Sequence, residues 1–142
     1  MRDFLATMAL ASGARAAAAR QREPEAAVRR RALEAPPSPP LRLSPGGFDC
    51  IAEWKARSPS AGWLVPTEDV TPDRVAAQAA AYARGGAVAC SVLTEPDAFA
   101  GHLDHLTAAA TAVEIPAMRK DFLVEPYQVL EARAAGGGGI LL

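Results

Sequence analysis

Of the fifteen basic residues in this chain, thirteen are arginine, and only Lys55 and Lys120 are lysine. A chain that writes arginine wherever a solvated positive charge suffices leaves lysine for positions that want a compact, titratable ammonium. Each lysine closes an apolar, strand-like run: FDCIAEW ends just before Lys55, and Lys120 lies near the end of EIPAMRKDF. Side chains alternate along a strand, so Glu53 and Lys55 share one face while Cys50, Ala52 and Trp54 share the other, and Lys120 shares a face with Phe122. Lysines at the carboxyl ends of parallel strands stand where ligands and catalytic groups sit in open α/β sheets and in closed barrels. Glu53 beside Lys55 either lowers the cost of holding the ammonium or forms a structural ion pair. The loop after Lys55, Ala-Arg-Ser-Pro-Ser-Ala-Gly, offers hydroxyls at Ser58 and Ser60 that could hold a phosphate, although Ser-Pro-Ser is also common in plain turns.

The elements that would position these groups can be read from periodicity. Strong helix formers dominate from Phe4 to Arg20 and from Pro24 to Leu33, which predicts two helices. Residues Ala35 to Gly47 hold five of the twelve prolines and form a semi-rigid connector. From Phe48 on, strand-like and helical runs alternate: FDCIAEW, a helix over Pro72 to Arg84, AVACSVLT, a helix from about Gly101 to Val113, EIPAMRKDF, a helix over Pro126 to Ala135, and ILL. Such alternation implies an α/β protein with a parallel sheet. Gly85-Gly86 and the glycines at 136–139 fall where helix C-caps need positive φ, and Pro72 and Pro126 fall in first helical turns. The expected organisation is a helical, Pro-linked segment over 1–47 and an α/β unit over 48–142.

Composition narrows the classes further. At 142 residues, 50% apolar and net charge −1, the chain is expected to be one soluble globular protein, without a transmembrane run and without the basic excess of a nucleic-acid-coating protein. Charge is divided unevenly: residues 1–47 carry eight basic and four acidic residues, whereas 48–142 carry seven and twelve. The stretch Phe-Leu-Ala-Thr-Met-Ala-Leu-Ala behind Arg2 has some likeness to a signal or transit peptide, but Asp3 and Arg15 favour an amphipathic helix lying on the main unit. His102 and His105 are three apart on a predicted helix and lack a third ligand for a metal site. Cys50 and Cys90 read as small buried apolar residues, and Trp54 as packing under the helices.

Three strings, IAEWKARSPSAG (51–62), SVLTEPDAFAGHLDHL (91–106) and MRKDFLVEPYQVLEARAAG (118–136), together resemble indole-3-glycerol phosphate synthase. The resemblance implies a (β/α)8 TIM barrel, truncated here to about its first four strands, with an N-terminal helical extension. The implied reaction closes the ring of 1-(2-carboxyphenylamino)-1-deoxyribulose 5-phosphate with loss of CO2 and water in tryptophan biosynthesis, a carboxy-lyase activity. It requires no cofactor and no metal. By the same resemblance, Lys120 would be the general acid that protonates the substrate carbonyl. Lys55 would contact the carboxylate and phosphate ends, and Glu53 would orient that lysine and help the dehydration. Ser58 would belong to the phosphate-side loop, and Phe99 and Phe122 would be the aromatic walls of the anthranilate pocket. A lysine suits the acid role because it can give up a proton when desolvated.

The chain departs from the family pattern at Ala61, where many members carry a basic residue, and at Gly101-His102-Leu103, where many have Gly-Ser-Leu. A barrel of this kind takes about 200–250 residues, and the family's carboxylate after strand five, asparagine after strand six and phosphate grip after strands seven and eight have no counterpart here. The expected partner is therefore a phosphorylated small molecule, with little or no turnover by the chain alone. The alternative is a non-catalytic, phosphate-binding half-barrel that self-associates or complements another chain.

Overall fold

A computed structural model describes residues 3–142; Arg2, the basic residue ahead of the leader-like stretch, lies outside them. Helix α1 (Phe4–Arg22) begins at Asp3, whose side chain accepts the Leu5 N–H, and α2 (Glu25–Glu34) follows Pro24 as N-cap. Ala-rich sequence explains both helices locally, but packing fixes them: Met8, Ser12 and Ala16, spaced one turn apart, are buried, as are Val28 and Ala32. The small side chains at 12 and 16 let α1 approach closely. Arg133 then donates to the carbonyls of Ala35 and Pro36, which ties the Pro-rich connector to the last helix.

The sheet contains β1 (Ile51–Trp54), β4 (Ala89–Leu93), β5 (Ala117–Lys120) and β6 (Gly139–Ile140), all parallel and adjacent in that order. Strands β2 (Arg57–Ser58) and β3 (Gly62–Trp63) form a small antiparallel hairpin. Helices α3 (Pro72–Arg84), α5 (Leu103–Ala112) and α6 (Pro126–Ala134) are the crossovers, and a one-turn helix α4 (Pro96–Phe99) lies in the β4–α5 connection. The strand order never reverses, unlike that of a doubly wound sheet. Pairing Trp54 with Val92, and Cys90 with Ala117, aligns the apolar sides of three strands. Trp54, Cys90, Val92 and Ala117 meet Val75 and Ala79 of α3, Leu106 and Ala109 of α5, and Ala132 of α6 in one buried cluster. Each large apolar side chain there contributes roughly 1.5–3 kcal/mol by leaving water. Gly86 and Gly136, at φ +91° and +89°, end α3 and α6 in the left-handed region.

The strands are shorter than the apolar runs. Phe48, Asp49 and Cys50 precede β1, because only the Cys50 carbonyl finds a partner, the Val88 N–H. Cys50 is therefore exposed, which corrects its reading as a buried residue. Cys90 is fully buried, and burial pushes its thiol up to about 11, so it behaves as packing and not as a nucleophile. His102 lies outside the helix it was expected to share with His105: it is the N-cap of α5, and its Nδ1 accepts the Asp104 N–H.

His105 is 5% exposed and stands edge-on to Trp54. Burial, and secondarily the neighbouring His102, hold its pKa below the usual histidine range, with Asp104 acting weakly in the other direction. Between the unfolded value near 6.5 and that lowered value the unfolded chain binds the additional proton, so stability falls as pH drops through this window and is level above it. The urea midpoint should decrease from pH 7.5 to 5.5, and a His105→Leu chain should show a much smaller decrease. An equal slope in both chains would place the titration elsewhere.

Candidate active site

The register that builds the core also builds the site on the opposite face. Leu93 pairs with Lys120, and Glu53 pairs with Ser91, which in turn pairs with Met118. Glu53 thus stands one strand step below Lys120, two strands away, on the face turned from the helices. Its carboxylate takes Lys120 Nζ at 2.5 Å on Oε2 and Lys55 Nζ at 2.9 Å on Oε1. Glu53 and Lys55 pair as expected from their spacing; the addition of Lys120 to the same carboxylate is a product of the register. Burial pushes the Glu53 carboxyl up, but the hydrogen bonds and charges of Lys120 and Lys55 outweigh it and hold the pKa below the usual carboxylate range. Two ammonium groups on one carboxylate leave a net positive charge, and each ammonium keeps N–H donors free for an anionic ligand.

Phe99 and Phe122 flank this group, with ring centroids 6.3 Å apart, and Phe4 of α1 meets Phe122 edge to face at 6.0 Å. A cavity of about 340 Å³ opens beside Lys120, walled by Leu5, Ala9, Leu93, Phe99 and Phe122. It is a mostly apolar cleft whose charged lining residues are Lys120 and the buried Asp121, which is engaged by Arg119, so Lys120 is the group left to meet a ligand bearing an aromatic ring. Ser58 is on the β2–β3 hairpin, whose hydroxyl accepts the Ala61 N–H at 3.1 Å and faces the Ser60 hydroxyl at 3.5 Å. The hairpin is held to the β4 side of the site by Arg57, which donates to the carbonyls of Asp97 and Ala98.

Sequence reasoning missed the supports of these groups. Arg119, beside Lys120 but on the helix side, is buried and donates to Thr94, to the Gln128 carbonyl, to Asp121 and to Glu131. Its planar fork explains arginine here and lysine next door. Helix α4 was also missed. The signal was present: Thr71-Pro72, Glu95-Pro96 and Glu125-Pro126 all open helices. Among the described residues no group of three or more His, Cys, Asp or Glu is placed to hold a metal ion, and no helix is long and apolar enough to cross a membrane.

The sequence profile of indole-3-glycerol phosphate synthase matches residues 11–142. The chain belongs to the indole-3-glycerol phosphate synthase family. Curated members of that family include indole-3-glycerol phosphate synthase 2 of Streptomyces coelicolor, 47% identical over 120 residues that cover 83% of this chain and 45% of the relative. The synthase of Parafrankia sp. is 44% identical over 128 residues, 88% of this chain and 46% of the relative. That of Mycobacterium ulcerans is 48% identical over 116 residues, 79% and 41% respectively. The chain therefore spans somewhat less than half the length of these relatives. Indole-3-glycerol phosphate synthases are TIM-barrel enzymes, and the parallel four-stranded sheet with its unreversed order agrees with that architecture.

Proposed function

We propose that this chain carries the substrate-facing first half of an indole-3-glycerol phosphate synthase. Residues 48–142 are strands one to four of the (β/α)8 barrel, and residues 1–47 are its helical extension and connector. The observation that carries this reading is the Lys120–Glu53–Lys55 group at the carboxyl ends of β1 and β5, beside a cleft lined by Phe99 and Phe122. In the reaction, Lys120 gives a proton to the carbonyl oxygen of 1-(2-carboxyphenylamino)-1-deoxyribulose 5-phosphate as the ring carbon that bears the carboxylate attacks the carbonyl carbon. CO2 leaves with its carbon–carbon bonding pair restoring the aromatic ring, and loss of water gives indole-3-glycerol phosphate. Glu53, held ionised by its two lysines, can accept a proton in the dehydration. Lys55 and Ser58 meet the anionic ends of the substrate, and the phenylalanines stack on its ring. The chemistry needs no cofactor, and a cytoplasmic location accords with a soluble biosynthetic enzyme.

A second reading keeps binding without turnover. Among the described residues β1 and β6 are the edges of the sheet, and Ile51, Leu141 and Leu142 are exposed there. A second copy, or a polypeptide bringing four more strands, would pair with those edges. One experiment separates the two: titrate the chain with indole-3-glycerol phosphate, then assay its formation by the chain alone and with a polypeptide carrying the later half of a relative. Turnover in either form supports the synthase reading, and saturable binding with no turnover in both supports the second. A folded chain that neither binds nor turns over would sink both.

A further inference from the structure

Arg15 of α1 reaches across the top of the sheet to three carboxylates. One guanidinium nitrogen is 3.3 Å from Glu95 and 3.1 Å from Asp97, and the other is 3.5 Å from Asp121. Glu95 and Asp121 are 0% and 1% exposed at their side chains. What each of these two carboxylates does next is the same. Glu95 Oε2 accepts the backbone N–H of Phe99 at 3.2 Å, and Asp121 Oδ1 accepts the backbone N–H of Phe122 at 2.8 Å. The two aromatic walls of the cleft are thus hung from two buried carboxylates that share one arginine. One turn earlier on α1, Ser12 donates to the Phe122 carbonyl and accepts from Gln128, so the β5–α6 loop is held to α1 at a second point.

We infer that Arg15 is a positioning residue that sets the separation of Phe99 and Phe122 and so the affinity of the cleft for the aromatic end of its ligand. The inference rests on the synthase reading for the identity of that ligand. Physically, a guanidinium can bridge two separated carboxylates at once because its donors lie in a fixed plane, and a buried carboxylate is costly to leave without a cationic partner. Without it Glu95 loses this guanidinium and Asp121 keeps Arg119, so the bridge that ties the Phe99 segment to the Phe122 loop is cut and the two rings are free to separate.

The chain itself supplies the probe. Its four phenylalanines are Phe4, Phe99 and Phe122 in the cluster, and Phe48, which is 93% exposed and serves as an internal reference. Fluorine NMR of the full chain labelled with 3-fluorophenylalanine should show the Phe99 and Phe122 resonances displaced in Arg15→Met, with Phe48 unmoved. The dissociation constant for indole-3-glycerol phosphate should rise roughly tenfold. Arg15→Lys, which keeps a charge without the fork, should fall between the two. Arg31→Met, which breaks the ion pair with Glu23 elsewhere on the same helices, should leave both readouts unchanged. Unmoved Phe99 and Phe122 resonances in Arg15→Met would overturn the inference, as would displaced resonances with unchanged affinity. A native chain that does not bind indole-3-glycerol phosphate counts against the synthase reading alone, and the fluorine spectra then decide on Arg15 by themselves.

Discussion

In the chain assayed together with the later half of a relative, Lys120→Met is expected to lose roughly 10²–10⁴-fold in ring closure, the range associated with removing a positioned general acid, while still binding indole-3-glycerol phosphate. Methionine keeps the length and the apolar stem that lines the cleft, so the substitution removes the proton donor with little change of shape. It also leaves Glu53 with Lys55 as its remaining ammonium partner. Lys120→Arg sharpens the result, because a guanidinium retains the charge and the ion pair but does not release a proton near neutral pH. An inactive Arg variant that binds product normally would identify acid catalysis, and not charge, as what Lys120 supplies. Turnover within tenfold of the native chain in both variants would remove Lys120 from the chemistry.

The second large effect concerns a residue with no side chain. A Cβ placed on Gly101 would lie 2.4 Å from the Leu93 carbonyl oxygen and 2.7 Å from both the Cα and the carbonyl carbon of Thr94. All three are backbone atoms of the last residue of β4 and the one after it, so no side chain can swing aside. Gly101→Ala should cost at least the upper end of the roughly 1–3 kcal/mol seen for overpacking, a fall in Tm of about 10 °C by thermal denaturation. The residue before it compounds the constraint: Ala100 adopts φ +54°, a left-handed conformation that an alanine enters at a cost of about 1–2 kcal/mol. Relief of the crowding would move the segment that carries Phe99, so ligand affinity should fall together with Tm. A Gly101→Ala chain with native Tm would show that β4 and this turn separate at low cost.

Helices and the parallel sheet were legible because their signals are local: proline at the first turn of α3 and α6, glycine after both, and a nearly continuous apolar run from Ala87 to Leu93, as a strand covered on both faces requires. Strand ends were less legible, since pairing depends on a neighbour distant in sequence, and Cys50 has none to bury it. Lys120, Lys55 and Glu53 stood out by residue type. Their common carboxylate did not, because it follows from a register set across β4. Arg15 was invisible for a similar reason: one arginine among thirteen, it is singled out only when α1 docks and brings it to residues more than eighty positions away.

That docking has a temporal side. The contacts of Ser12 with Phe122 and Gln128 span 110 and 116 residues, whereas each strand–helix unit closes on itself over a much shorter loop. Closing the long loop costs more chain entropy and is rewarded only once the β4 and β5 ends already stand side by side. Helix α1 should therefore be the last element to lock and the first to release, so the cleft assembles in the closing moments of folding. Amide hydrogens along α1 should exchange earlier than those of β4 and β5, and each transient release of the helix would unwall the cleft without unfolding the sheet beneath it.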